Sequence, residues 1–114
     1  MKLVSIPIQT PSVANKREHH HERARRTKAH RIAVAMVLRP PYPPLPVVVT
    51  LTRVAPRLLD TDNLGMALKA VRDQVAICLG VTDGPRDERV RWAYDQRQAS
   101  THAVEVRIEP RGDA

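Results

Sequence analysis

Val47-Val48-Val49-Thr50-Leu51-Thr52 is the stretch on which the fold turns. Five of its six side chains are β-branched, which restricts χ1 and favours a pleated, packed surface over a helix. The β-branched run is nearly continuous, as expected of a central strand. Working outward, Arg53 to Leu59 leaves the sheet through Pro56. Residues 62–79 then predict a helix, with Asp62 suited to the N-cap and Gly80 to the position just past the C-terminus. Residues 88–96 alternate as a strand, with Val90, Trp92 and Tyr94 on one face and Arg89, Arg91 and Asp95 on the other. A turn over 97–102 leads to a last strand, 103–109, with Val104, Val106 and Ile108 inward.

On the other side lies Arg39-Pro40-Pro41-Tyr42-Pro43-Pro44-Leu45-Pro46, with five of the ten prolines. It cannot continue a helix, so 39–46 reads as a stiff, extended, Pro-rich connector. Residues 15–38 hold neither Pro nor Gly and predict a helix. Its first half is polar all round, and its second half, Ile32 to Leu38, is apolar and anchors it. Pro11-Ser12 offers a turn and cap before it. Residues 2–8 alternate as a short strand in which Pro7 favours an edge. The order β-α-β-α-β-β predicts one α+β domain over 1–114, with a mixed or antiparallel sheet and two helices.

Charge is distributed unevenly. The 114 residues carry a formal charge of +7, and residues 1–31 hold eight basic side chains against two acidic ones. Positive excess of this kind points to a polyanion partner without distinguishing DNA, RNA and an anionic membrane surface. No apolar run approaches the ~20 residues of a membrane span. Cys78 is the sole cysteine, which excludes an internal disulfide and a Cys-based zinc site. A reducing, cytoplasmic setting is expected.

The chemistry-bearing segment is Arg57-Leu58-Leu59-Asp60-Thr61-Asp62-Asn63-Leu64. In an extended stretch, Asp60 and Asp62 point the same way, and converging carboxylates need a cation or a raised pKa. Hard divalent cations such as Mg²⁺ take such oxygens. The other reading is that both carboxylates serve the positive end of the helix. On a straight helix, Lys69 and Asp73 each lie about 20° from Asp62 around the axis, opposite Leu64, Leu68, Val71 and Val75. Met66, Ala70 and Ile77 flank this charged stripe. Asp83 sits in the turn beyond Gly80, where a fold-back would make it a third carboxylate.

The basic helical arm, 15–31, supplies candidate phosphate contacts in Lys16, Arg17, Arg23, Arg25, Arg26 and Lys28. His19, His20 and His21 diverge by about 100° each, so a regular helix cannot aim all three at one ion. They read as DNA contacts or a solvated face. Trp92 and Tyr94 read as core or interface before base-stacking residues. Gln96 and Arg97 are open to either reading.

The series Leu51-Thr52-Arg53, Asp60-x-Asp62-Asn63-Leu64, Lys69-Ala70-x-x-Asp73, Leu79-Gly80-Val81-x-Asp83 and Trp92-x-Tyr94-x-Gln96 resembles the RusA family of Holliday junction resolvases. The resemblance is close over 47–96 and looser over the Pro-Ser turn and basic helix. It implies a RusA-like fold and a dimeric, Mg²⁺-dependent endonuclease, with Mn²⁺ as an alternative metal, that cuts four-way DNA junctions symmetrically. It implies Asp60, Asp62 and Asp83 as metal ligands, Lys69 as a catalytic assistant and Asp73 as structural. Asn15, His19, Arg53 and Arg57 join the arm as candidate DNA contacts. No small-molecule cofactor and no membrane partner are implied. Two departures stand out. Lys69 lies seven residues after the second aspartate where the founding type has four, and Thr82 replaces the first of two adjacent aspartates. Two alternative readings are a catalytically inactive DNA-binding protein of the same fold and a basic RNA-binding or assembly protein.

Overall fold

A computed structural model describes residues 1–11 and 20–112. The expected cap at Ser12 and the candidate contacts Asn15, Lys16, Arg17 and His19 lie outside the described residues.

The elements are β1 (Lys2–Ile6), α1 (His20–Val37), β2 (Val47–Ala55), α2 (Thr61–Ala67), α3 (Lys69–Leu79), β3 (Val90–Gln98) and β4 (Ala103–Pro110). The strands form one mixed sheet in the order β1-β4-β2-β3. β1 pairs antiparallel with β4, β4 antiparallel with β2, and β2 parallel with β3. The α+β class, the edge position of β1 and the central position of β2 are as the sequence predicts. No helix among the described residues is long and apolar enough to cross a membrane.

A parallel pair cannot be closed by a tight turn, and here the α2–α3 segment supplies the crossover. Val47, Val49 and Leu51 of β2 and Val104, Val106 and Ile108 of β4 are fully buried. They meet Val34 and Leu38 of α1 and its following turn, and Leu64, Leu68, Val71 and Val75 of the crossover, in one core. The apolar stripe read from residues 64–75 is therefore the face that packs.

The predicted elements are corrected in several places. The single helix over 62–79 is two helices, so there are three helices among the described residues. Leu68 sits at the junction with φ −99° and ψ 4°, away from helical values. It is fully buried and its backbone still bonds to Leu64 and Arg72, so the helical conformation is interrupted without severing the chain of hydrogen bonds. The N-cap position is Asp60, not Asp62, and its side chain makes no capping bond. β2 runs three residues further than read, through Arg53 to Ala55, and leaves the sheet only at Pro56. β3 runs to Gln98, shortening the turn before β4. β1 ends at Ile6, two residues before the predicted end. The connector carries no regular element, and Tyr42 ties it back by donating its hydroxyl to the Leu38 carbonyl at 2.9 Å.

Gly80 closes α3 as predicted, with φ 71°. Its N–H donates to Ile77 at 3.2 Å, and that of Val81 to Ala76 at 3.0 Å, the two bonds of a Schellman motif. A Cβ there would meet nothing within 4 Å, so the demand is on backbone angle alone. Gly80→Ala is expected to destabilise the fold by about 1 kcal/mol, read from the midpoint of denaturant unfolding with an unchanged slope.

Candidate functional site

The parallel register sets Arg53 beside Gln96 at the carboxyl ends of β2 and β3. In sheets with parallel strands, ligands gather outside such ends. The chain leaves β2 there to reach Asp60 and the start of α2, and Asp83 follows the far end of α3.

Lys69, on the first turn of α3, places its ammonium 3.5 Å from both carboxylate oxygens of Asp73 and 4.0 Å from Asp83 Oδ2. The Asp73–Lys69 pair is the i,i+4 contact expected from the sequence. Asp83 folds back onto Asp73 and Lys69, where the two carboxylates face one another, and does not join Asp60 and Asp62 as a third carboxylate among the described residues. Burial raises the Asp73 carboxyl above the usual carboxylate range, and the hydrogen bond with Asp83 raises it further against the opposing pull of Lys69. That same bond lowers Asp83. Asp73 is thus the better proton holder of the two, and Asp83 the better anion.

Asp60 and Asp62 are both exposed at the start of α2. The stripe expected to join Asp62 to Lys69 and Asp73 assumed a single helix, whereas the helix is interrupted at Leu68 between them. Among the described residues, no three acidic, histidine or cysteine side chains converge to hold a metal ion. The donors are nonetheless all hard carboxylate oxygens, and Mg²⁺ takes one or two of these plus substrate phosphates rather than an all-protein cage. The donor set therefore fits this cation by chemistry, without a preassembled three-aspartate cage.

Lys69 stands between two hollows. One, of about 300 Å³, runs between α1 and the crossover, with Arg23, Arg26, Thr27 and His30 on one wall and Met66, Lys69, Ala70 and Asp73 on the other. The second, of about 310 Å³, is bounded by Gly65, Met66, Lys69, Arg72, Asp83 and Tyr94. The basic arm thus reaches the charged cluster along the first hollow. Lys28 lies on a further hollow along α1 with Arg31 and Gln74, and Arg25 donates to the His21 carbonyl at 3.4 Å. His30 is buried, its Nε2 bonded to the Gln9 carbonyl at 2.9 Å. Burial lowers its pKa, and the bond to Gln9 anchors the arm. The His20 and His21 rings are 4.0 Å apart, in mutual contact.

Arg53 is corrected from surface contact to buried anchor. It is 6% exposed, and its Nε donates to the Thr10 carbonyl at 2.9 Å and to Thr10 Oγ1 at 3.2 Å. Its Nη1 donates to the Arg57 carbonyl at 2.7 Å, so it grips the strand-to-helix loop from below. Arg57 itself is exposed.

Three further residues hold the site: Arg72 and Asp87, which escaped the sequence reading, and Gln96, whose role that reading left open. Gln96 bonds the backbone of Leu59 on both sides: the Leu59 N–H donates to Oε1, and Nε2 donates to the Leu59 carbonyl, each at 2.7 Å. Arg72 lies over the Trp92 ring at 4.7 Å, donates to the Tyr94 hydroxyl at 2.8 Å and donates to the Asp83 carbonyl. Asp87 receives the Thr82 N–H at 2.9 Å and forks onto Arg89 at 2.7 and 2.9 Å, which holds its carboxyl far below the usual range. No local pattern marks Gln96 or Arg72, because their partners are remote in sequence. Asp87-x-Arg89 was the one legible signal.

Compared with protein-family models, with curated proteins and with solved structures, the chain matches none.

Because Lys69 pulls both carboxyl pKa values down, Lys69→Ala is expected to move the titrations of Asp73 and Asp83 upward together. Side-chain carbon NMR across the acidic range reads this directly; titrations that stay where they are would show that Lys69 does not engage the pair.

Proposed function

We propose that the protein is a Mg²⁺-dependent endonuclease that cuts branched DNA, four-way junctions above all, as a homodimer of the RusA type. The observation that carries this reading is the Lys69 ammonium held between Asp73 and Asp83, at the end of a hollow walled by Arg23 and Arg26. A carboxylate cluster alone repels phosphate. A basic wall leading into it, with a lysine at the junction, is an arrangement that suits phosphodiester chemistry.

Asp60, Asp62 and Asp83 would hold the metal, which when bound neutralises phosphate charge and activates water. The chain's own residues do the rest. Arg23, Arg26 and Lys28 attract and orient the backbone. Lys69 is placed to offset negative charge on the phosphate or on the leaving oxygen. Asp83, the more ionised of the facing pair, is the stronger cation ligand, and Asp73 keeps it oriented. Two symmetric cuts need two such sites, which a two-fold dimer supplies.

One observation favours a second reading, a DNA-binding protein of the same fold without activity: Asp60 and Asp62 do not converge with Asp83 on one point. A labelled four-way junction incubated with and without Mg²⁺, beside a linear duplex, separates the two. Paired symmetric nicks on the junction alone are expected, and tight binding without nicks would favour the inactive form. Asp62→Asn is expected to abolish cutting and leave junction binding equal or stronger. Arg23→Ala and Arg26→Ala should each lower the slope of log affinity against log salt by about 0.9 if each meets one phosphate.

A further inference from the structure

We propose that the row Trp92-Tyr94-Gln96 on one face of β3 is the jig that sets the two acidic segments relative to one another, with Gln96 as the positioning residue of Asp60. The proposal rests on the nuclease reading above and adds to it residues that carry no assigned role.

The geometry at Gln96 is specific. A loop tether needs one hydrogen bond. Gln96 makes two of 2.7 Å with the same residue, one accepted from Leu59 N–H and one donated to its carbonyl. A pair of this kind fixes both the position and the rotation of the backbone at Leu59, as a ladder partner does in a sheet. The next residue is Asp60. It holds extended angles, φ −62° and ψ 154°, while its carbonyl already accepts the first bond of α2 from Leu64 at 2.9 Å. Its side chain makes no capping bond. The direction of the Asp60 carboxylate is therefore inherited from a backbone that Gln96 holds. Arg53, beside Gln96 in register, holds the Arg57 carbonyl two residues earlier at 2.7 Å. The loop is gripped from two adjacent strands at alternate residues.

The same row reaches the other acidic segment. Tyr94, two residues before Gln96 on the same face, accepts from Arg72, and Arg72 donates to the Asp83 carbonyl while lying over Trp92. Asp60 and Asp83 are 23 residues apart in the chain but are referred to side chains two apart on one strand, a separation of roughly 6–7 Å. A rigid strand is a more accurate reference than the loops that carry the carboxylates.

The test uses the full-length protein with Gln96→Ala, Gln96→Glu, Tyr94→Phe and, as control, Gln98→Ala. Gln98 makes one longer bond, 3.3 Å, to the Pro56 carbonyl of the same loop. Single-turnover junction cutting at saturating protein is compared with junction Kd and with amide exchange at Leu59. Gln96→Ala is expected to slow cutting by about thirty-fold, with Kd within about two-fold and faster exchange at Leu59 N–H. Gln96→Glu keeps the acceptor but sets a negative charge against the Leu59 carbonyl, and should fall at least as far. Tyr94→Phe should slow cutting about five-fold with Kd unchanged, having lost one of these bonds. Gln98→Ala should cut as the wild type does. Cutting by Gln96→Ala at the wild-type rate, a loss confined to Kd, or an equal loss in Gln98→Ala would overturn the proposal. If the wild type itself leaves junctions uncut, the nuclease reading fails by itself. The positioning role then stands or falls on Leu59 exchange, with unchanged protection in Gln96→Ala overturning it.

Discussion

The parallel pairing of β2 with β3 is the constraint on which the remaining structure depends. Antiparallel neighbours can be joined by a turn, whereas parallel ones need a crossover that returns the chain to the starting edge. That requirement explains why α2 and α3 lie between the two strands, and why their apolar side packs on Val49 and Leu51 in the shared core. It also brings Arg53 and Gln96 side by side at the carboxyl ends, where the loop to α2 begins. Had these strands run antiparallel, the two grips on that loop would sit at opposite ends of the sheet.

Polar residues at this edge carry structural weight normally given to apolar ones. Arg53 is buried yet bonded to Thr10 and Arg57, so its charge is matched by oriented carbonyl dipoles rather than by an ion. Asp87 organises the 82–89 turn through Thr82 and Arg89. Arg72 joins that turn to the aromatic row of β3. The result is two acidic segments, before Asp60 and at Asp83, whose backbones are held by buried or half-buried partners.

Much of this was legible locally. The β-branched run at 47–52, the Gly80 terminus and the alternation at Val104-Val106-Ile108 each reflect a preference that acts over a few residues. They appear where expected. The Asp73–Lys69 contact was legible for the same reason, since helical spacing alone makes them neighbours. The break at Leu68 was not, because nothing in the helix propensity of Leu interrupts a helix. Arg53 was misread for a related reason. Arginine is rarely buried without a partner, and its partners, Thr10 and Arg57, are brought to it by β1 and by the loop after β2.

The sequence by itself determined the order of the strands and of the two helical regions between them, the central strand, the apolar face of the crossover and the segregation of positive charge into the arm. These follow from side-chain shape, periodicity and composition, all read within one turn or one strand. The tertiary structure alone decided which strands run parallel, which of the charged residues become anchors, and that Asp83 rather than Asp62 meets Lys69. Those outcomes depend on contacts between residues tens of positions apart. Their cost in loop closure and their reward in burial are settled only when the whole sheet assembles.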